Sequence, residues 1–463
     1  MMAHLSMRGA MLPEYARRVI EVLEGAGYEA WVVGGWVRDT LRGTTVHDLD
    51  VTTSAHWQRA AEELRAAGMA VHETGVAHGT ITVVCDGSIV EVTTYRVEGA
   101  YSDHRHPDAV RFVSDVREDL ARRDFTINAM AWHPDRGLLD PYGGAEDLER
   151  GLIRAVGDPH RRFEEDALRI LRAVRFSTRM GFAIEPMTQR ALCELAPLLQ
   201  DVAPERIGQE LNAIVCGGWA GTALLEQPEV MCVALPELAA SRGFDQRSVY
   251  HVYDVYEHIA HVCRACQAFT AGLAAPALQW AALLHDVAKP ATFSMDVEGH
   301  GHFFDHPRQG AEMAAAVLRR LAMPSSIVNQ VRVLIRWHDE PMPATRRAVH
   351  RLLVRLDRAC PGNAVPLAFM LFDLRRADAV SKCPDASSWA SELDRYTSIL
   401  RELAAETPAL SVRQLAVGGS DVMRVCNVAP GPGVGMQLDM LLQAVLEGVV
   451  PNEREALIDW LAS

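Results

Sequence analysis

The sequence predicts an α+β protein in which a small mixed-sheet head precedes an elongated, all-helical neck, body and tail. Three observations carry this. Residues 12–140 alternate short apolar runs, such as Ala30-Trp31-Val32-Val33 and Thr80–Cys85, with amphipathic segments such as Glu14–Gly25. From Pro141 onward the apolar spacing is helical almost throughout. The later breaks, at Gly217-Gly218, Gly243, Gly299-His300-Gly301, Pro361-Gly362, Pro384 and Ala429–Gly433, punctuate helices. A chain of 463 residues is long enough for several cores. The expected units are a head over 12–140, a neck over 141–240, a body over 245–400 and a tail over 408–463. There is no internal repeat and no low-complexity segment.

Composition bounds the function classes. Nearly half the residues are apolar, yet no run reaches membrane-spanning length. The first residues, Met1-Met2-Ala3-His4-Leu5-Ser6-Met7-Arg8, lack the apolar stretch of a signal peptide, so a cytoplasmic protein with no membrane partner is expected. Nine scattered cysteines do not form a disulfide framework, and the lone pair Cys263 and Cys266 reads as thiols of a helix. The net charge of −14 argues superficially against a polyanionic partner. Phosphates respond to the local field, however, and arginines crowd residues 117–179. The only two lysines are Lys289 and Lys382, and both lie beside metal-ligand candidates.

The head opens on strand, glycine turn, short helix, loop and second strand. Asp48 and Asp50 stand at i and i+2 and so face the same side of a strand, where they can hold a divalent metal together. Gly34 and Gly35 let the backbone approach a phosphate, and Arg38 can clamp it. Asp39 fits a salt bridge or helix cap better than a metal ligand. Glu91 can add a third carboxylate from a neighbouring strand, or stand as an edge-strand surface residue. Metal, triphosphate and glycine turn in one unit imply nucleotidyl transfer. The full pattern G-G-x-V-R-D-x-L-x-G-x(4)-D-x-D-V resembles the nucleotidyltransferase head of the class II CCA-adding enzymes and of their relatives, the bacterial poly(A) polymerases.

That resemblance extends to three further blocks. Arg122-Arg123-Asp124-Phe125-Thr126-Ile127-Asn128-Ala129 matches a family segment that contacts ribose and phosphates, which implies those roles for Arg123, Asp124 and Asn128. Glu165-Asp166-Ala167-Leu168-Arg169 matches E-D-x-x-R. Read as a helix, Asp166 and Arg169 are i, i+3 neighbours on one face. Cytosine and adenine each present an amino donor beside a ring-nitrogen acceptor, so aspartate accepts from one and arginine donates to the other. Guanine and uracil present an N–H at that ring position and are rejected. Arg172 is expected to support the pair. Glu205-Arg206-Ile207-Gly208-Gln209-Glu210 resembles a bracing segment, which makes Arg206 structural. The polar stretch Tyr101–Asp108 resembles the loop of members that complete the terminal A.

A second site is expected in the body. His258, His285-Asp286 and Asp378 follow the order of the HD-domain metal phosphohydrolases, and Leu284–Lys289 matches their H-D-x-x-K core. His306 and His338 match the extra histidines of HD members with a second metal. Imidazole and carboxylate ligands suit a divalent transition metal or Mg²⁺, and Lys289 and Lys382 can hold a substrate phosphate or orient a ligand carboxylate. The resemblance implies Mg²⁺ at the head, CTP, ATP and a tRNA 3′ end as partners, no obligate protein partner, and a tail that contacts tRNA. The runner-up is a bacterial poly(A) polymerase, disfavoured by Thr52–Trp57, where a basic segment would follow the D-x-D strand. A different class, an HD phosphohydrolase with an RNA-binding head, is opposed by the intact Asp48/Asp50 pair.

Overall fold

The computed structural model describes residues 11–44, 49–98, 110–248, 252–270, 275–382, 387–406 and 409–463. The backbone divides into two compact units, Met1–Glu210 and Leu211–Ser463, and the neck expected over 141–240 spans that division. Asp48 and the Tyr101–Asp108 stretch lie outside the described residues.

In the first unit, helix α1 (Glu14–Gly25) forms over the predicted residues because Ala16, Val19, Ile20 and Leu23 recur at helical spacing and bury together. Strand β1 (Ala30–Val33) leads into α2 (Gly35–Leu41), β2 (Asp50–Thr53) and α3 (Trp57–Ala66). There follow β3 (Ala70–Gly75), β4 (Thr80–Cys85), β5 (Ser88–Thr94), and the short antiparallel pair β6 (Arg96–Glu98) and β7 (Val110–Phe112). Helix α4 (Val116–Ala121), capped by the Asp115 side chain, precedes β8 (Ala131–His133) and β9 (Gly137–Leu139). One seven-stranded sheet results, in the order β3-β4-β5-β2-β1-β8-β9. Its only parallel pair is β2–β5, with Asp50 directly opposite Glu91. Trp31 and Val33 of β1 pack with Tyr95 and with Val116 and Leu120 of α4.

Five helices follow: α5 (Gly144–Arg150), α6 (Pro159–Glu165), α7 (Leu168–Met180), α8 (Pro186–Leu195) and α9 (Pro204–Cys216). Here the structure corrects the sequence reading. Asp166 does not share a helix with Arg169. It is an extended residue (φ −145°, ψ 101°) between α6 and α7. Its Oδ1 accepts from Leu168 N at 3.2 Å and its carbonyl accepts from Arg169 N at 3.0 Å. The cause is ordinary aspartate chemistry: a short carboxylate competes for nearby backbone N–H groups and favours a helix start over a helix interior.

The second unit runs through α10 (Ala220–Glu226), α11 (Pro228–Ala234), α12 (Val255–Thr270), α13 (Pro276–Leu284), α14 (Lys289–Thr292), α15 (His306–Arg320), α16 (Ser325–Trp337), α17 (Arg346–Ala359), α18 (Ala364–Lys382) and α19 (Ser387–Ala405). The last helices are α20 (Gly419–Cys426), α21 (Pro432–Leu446) and α22 (Arg454–Ala462). Residues Ala277 to Leu284 of α13 are all buried, as befits a helix apolar on every side, and α13 packs on α12, α16 and α18. Cys263 and Cys266 are buried free thiols of α12. The Gly299-His300-Gly301 break is the turn of a small hairpin, Phe293–Met295 against Gly301–Phe303, closed by the Phe293 and Phe303 rings 5.6 Å apart. Among the described residues no helix is long and apolar enough to cross a membrane.

Candidate active site and metal centre

The first unit holds a cavity of about 640 Å³. Its lining brings together Gly34, Gly35, Arg38 and Asp50 from the first motif, Arg123, Asp124 and Asn128 from the second, and Asp166, Arg169 and Arg172 from the third. Nine arginines and three aspartates line it, so the local charge is positive although the chain is acidic.

Two carboxylates mark one end. Directly registered residues of a parallel pair point to the same face, so the half-buried Asp50 and the exposed Glu91 lie side by side. Strand β5 sits between β4 and β2, which removes the edge-strand reading of Glu91. Gly34 closes in from the turn before α2 with φ +70°. A Cβ there would come 3.0 Å from Arg123 Nη1 and 3.6 Å from Asp50 Oδ2. A phosphate approaching this turn therefore meets an arginine and a carboxylate within one small space.

The walls are fixed by a chain of hydrogen bonds. Arg38 donates to both Asp39 carboxylate oxygens at 2.8 and 2.7 Å, the salt bridge expected of Asp39, and donates to Asn128 Oδ1 at 2.7 Å. Asn128 Nδ2 donates to Asp124 Oδ1 at 3.0 Å, and Arg172 donates twice to Asp124 Oδ2. Burial pushes the Asp124 carboxyl up, but the Arg172 charge and the Asn128 hydrogen bond outweigh it and hold the group below the usual carboxylate range. The direct hydrogen bonds of Arg172 thus go to Asp124, while the Asp166 charge also acts on it. Arg38, Arg172 and Arg175 also surround the Phe176 ring, at 5.2, 5.6 and 4.5 Å from its centroid.

Asp166 and Arg169 meet the cavity by different routes. Asp166 accepts from Arg206 at 3.2 and 3.4 Å. Arg169 donates to Glu165 at 2.9 Å and to the carbonyls of Arg162 and Arg122 at 3.0 and 3.1 Å. Each of the two is thereby pinned by its own partner.

In the second unit, His258 stands on α12, His285-Asp286 just after α13, His306 at the start of α15, His338 just after α16, and Asp378 on α18. All are buried. They form two groups of three, His258–His285–Asp378 and Asp286–His306–His338, and within each group the ligand atoms lie within 4.8 Å of one another. Nδ1 of His285, His306 and His338 donates to the carbonyl three residues back, at 2.9, 2.8 and 2.7 Å. A carbonyl only accepts, so a proton sits on Nδ1 and Nε2 is the nitrogen that faces a metal. His285 Nε2 is fully buried and without a hydrogen bond, a costly state that a metal ion would relieve. Both lysines reach the centre: Lys289 Nζ is 2.7 Å from Asp286 and donates to Gln246 Oε1 at 2.8 Å, and Lys382 Nζ is 2.7 Å from Asp378. Burial raises both carboxyls, yet His285 and Lys289 beside Asp286, and Lys382 and His258 beside Asp378, hold them well below the usual range. A pocket of about 340 Å³ opens on this centre past Phe303, Phe304 and His302.

Residues 30–154 match the Poly A polymerase head domain, 181–241 the RNA- and SrmB-binding site of polymerase A, 249–381 the HD domain, and 381–461 the tRNA nucleotidyltransferase domain 2. The CCA-adding enzyme of Leuconostoc mesenteroides subsp. mesenteroides is 31% identical over 443 residues, 96% of this chain and 94% of the relative. That of Geobacillus stearothermophilus is 32% identical over 445 residues, 96% and 95% of the two chains. The chain belongs to the CCA-adding enzyme family.

The solved Bacillus stearothermophilus CCA-adding enzyme in complex with CTP is similar over 97% of both chains, with 30% identity and a TM-score of 0.72. The Thermotoga maritima CCA-adding enzyme complexed with tRNA shares the fold at 19% identity and a TM-score of 0.59, over 98% of this chain and 96% of that one. Within this family frame, Asp119 is the residue that the motif search missed. It is fully buried and accepts from Arg122 at 3.0 and 2.9 Å, from Thr52 Oγ1 at 3.3 Å and from Arg96 N at 3.4 Å, with Arg123 3.5 Å away. Burial raises its carboxyl, but Arg122 and Arg123 hold it below the ordinary value. Its signal was present in the spacing, since an acid at i−3 and i−4 from paired arginines is positioned to hold both.

Proposed function

We propose that this chain adds CCA to the 3′ end of tRNA from CTP and ATP, without a nucleic-acid template, by metal-dependent nucleotidyl transfer. The observation that carries the reading is that the base-reading groups Asp166 and Arg169 line the same cavity as Asp50, Gly34 and Arg123. Asp50 and Glu91, with Asp48, are the residues that would hold Mg²⁺. Bound there, the ion would lower the pKa of the attacking 3′-hydroxyl and stabilise the departing pyrophosphate. The protein's part is positioning: Gly34, Gly35, Arg38 and Arg123 seat the triphosphate, Asp124 and Asn128 orient the sugar side, and the Asp166 carboxylate accepts the amino group that C and A share. The test is tRNA lacking its 3′ end, incubated with Mg²⁺ and each labelled nucleotide. Two C and one A are expected. Long A tails would instead indicate a poly(A) polymerase, and no incorporation would leave only the hydrolase.

A second activity is supported by the two buried ligand groups of the HD domain. We propose a metal-dependent phosphohydrolase there, of phosphatase or 2′,3′-cyclic phosphodiesterase type. His258, His285 and Asp378 would hold one divalent ion and Asp286, His306 and His338 another, with Lys289 and Lys382 as cationic partners of ligand carboxylates and substrate phosphate.

A further inference from the structure

Helix α7 runs along the cavity wall, and its arginines are not equivalent. Arg169 is held by Glu165, Arg172 by Asp124 and Arg175 by Glu210, each within 2.9 Å. Arg179, in the last turn, also lines the cavity and is exposed, yet among the described residues its side chain makes neither a hydrogen bond nor an ion pair. An arginine extended into a positively charged cavity with no acceptor of its own is a cation whose partner comes from outside the chain.

Its place identifies that partner. Arg172 and Arg179 are seven residues apart, which puts them on one face and about 10 Å apart along the axis. Arg169 lies about 15 Å from Arg179 by the same rise. Helix α2 runs alongside in the same sense, since Arg38 stacks on Phe176 at 5.2 Å and the following Arg42 on Phe182 at 5.5 Å. Moving from Arg169 to Arg179 therefore follows α2 from its Gly34 end toward Arg42, away from Asp50. The incoming nucleotide must set its base at Asp166 and Arg169 and its reacting phosphate at Asp50. The phosphates of that nucleotide already have Gly34, Gly35, Arg38 and Arg123, so the phosphate left for Arg179, beyond Arg38 toward Arg42, is not one of them. It belongs to the other reactant, the strand being extended.

We propose that Arg179 binds a phosphodiester of the primer strand, a few nucleotides back from the reacting 3′ end, and so selects for an RNA end over a free nucleoside in the acceptor position. The inference rests on the nucleotidyl-transfer reading above. Its test is steady-state addition by the full chain with Arg179→Ala, Arg179→Glu and Arg179→Lys. KM is measured separately for tRNA lacking its 3′ end and for CTP, across a range of salt. The expected result is a rise of about tenfold in KM for tRNA in Arg179→Ala, more in Arg179→Glu, and recovery in Arg179→Lys, with KM for CTP at the wild-type value. The slope of log KM for tRNA against log salt should become shallower by about one in Arg179→Ala, as expected for one lost phosphate contact. A rise in KM for CTP alone would reassign Arg179 to the triphosphate, and no change in either KM would make it a solvated surface residue; both overturn the proposal. If the wild-type chain adds no nucleotide at all, the nucleotidyl-transfer reading itself fails.

Discussion

The Asp124 carboxylate takes both Nε and Nη2 of Arg172, at 2.9 and 2.7 Å, and this one fork joins the R-R-D-F-T segment to helix α7. Because Asn128 bonds the other oxygen and Arg38 bonds Asn128, the fork also reaches the glycine turn. Helix α2, the R-R-D-F-T segment and helix α7 thus share one hydrogen-bonded line across the cavity.

Asp124→Asn should cost about 2 kcal/mol of stability at pH 7, the scale of hydrogen bonds to a charged group. The folded carboxyl lies below its unfolded value, near 3.9. The stabilisation is therefore fully present above that value and is lost as pH falls toward the folded one. Denaturant unfolding of wild type and variant at pH 7 and pH 3.5 should show the difference shrinking in acid. A gap that holds constant or widens would contradict the role given to the charge.

Gly34→Ala places a side chain at φ +70° and a methyl 3.0 Å from Arg123 Nη1. Backbone strain alone should cost about 1 kcal/mol. Displacement of Arg123 should also raise KM for CTP by about tenfold or more. Unaltered CTP kinetics in the folded variant would remove the turn from the phosphate site.

Asp50→Asn should lower the rate of addition at least about a hundredfold, the scale of lost transition-state charge stabilisation. Glu91→Gln decides whether the parallel-paired carboxylate belongs to the same acid set. A fall of about tenfold or more in kcat, with the melting temperature preserved, is expected. A wild-type rate would return Glu91 to the sheet surface.

In the HD domain, Lys289→Ala should lower hydrolysis while nucleotide addition continues, because Lys289 bonds Asp286 and Gln246 inside the second unit only. Prolonged chelation followed by return of Mg²⁺ alone should restore addition. If the centre needs a transition metal, hydrolysis returns only after Mn²⁺, Ni²⁺ or Co²⁺ is supplied. Equal loss of both activities in folded Lys289→Ala would sink the assignment.

Much of this was legible in the residues. Helix α1 and strand β4 formed over the residues their apolar spacing marked, and the two head motifs and the neck motif converge on one cavity because each is anchored to the sheet or to α7. What spacing could not supply were the partners. Asp166 and Arg169 read as a helical pair because a D-x-x-R spacing cannot distinguish a helix interior from a helix start. The structure separates them at a cap and gives each a different anchor, Arg206 and Glu165. Asp119 offered the local signal of its spacing to Arg122, but burial is what brings Thr52 and Arg96, far away in sequence, onto the same carboxylate. In the HD domain the ligand order was readable, whereas the proton position on each imidazole follows from carbonyls that only the folded helix ends present.

Strands β2 and β5 are parallel neighbours in an otherwise antiparallel sheet, and a parallel pair cannot be joined by a tight turn. The carboxylates of Asp50 and Glu91 become neighbours only after α3, β3 and β4 have crossed between them, and a slip of one residue in that pairing would send Glu91 to the opposite face. A chain still emerging from the ribosome with β5 unmade therefore holds its glycine turn and its first acidic residues without a finished catalytic face. The two carboxylates therefore share a face only once the whole crossover has closed in register.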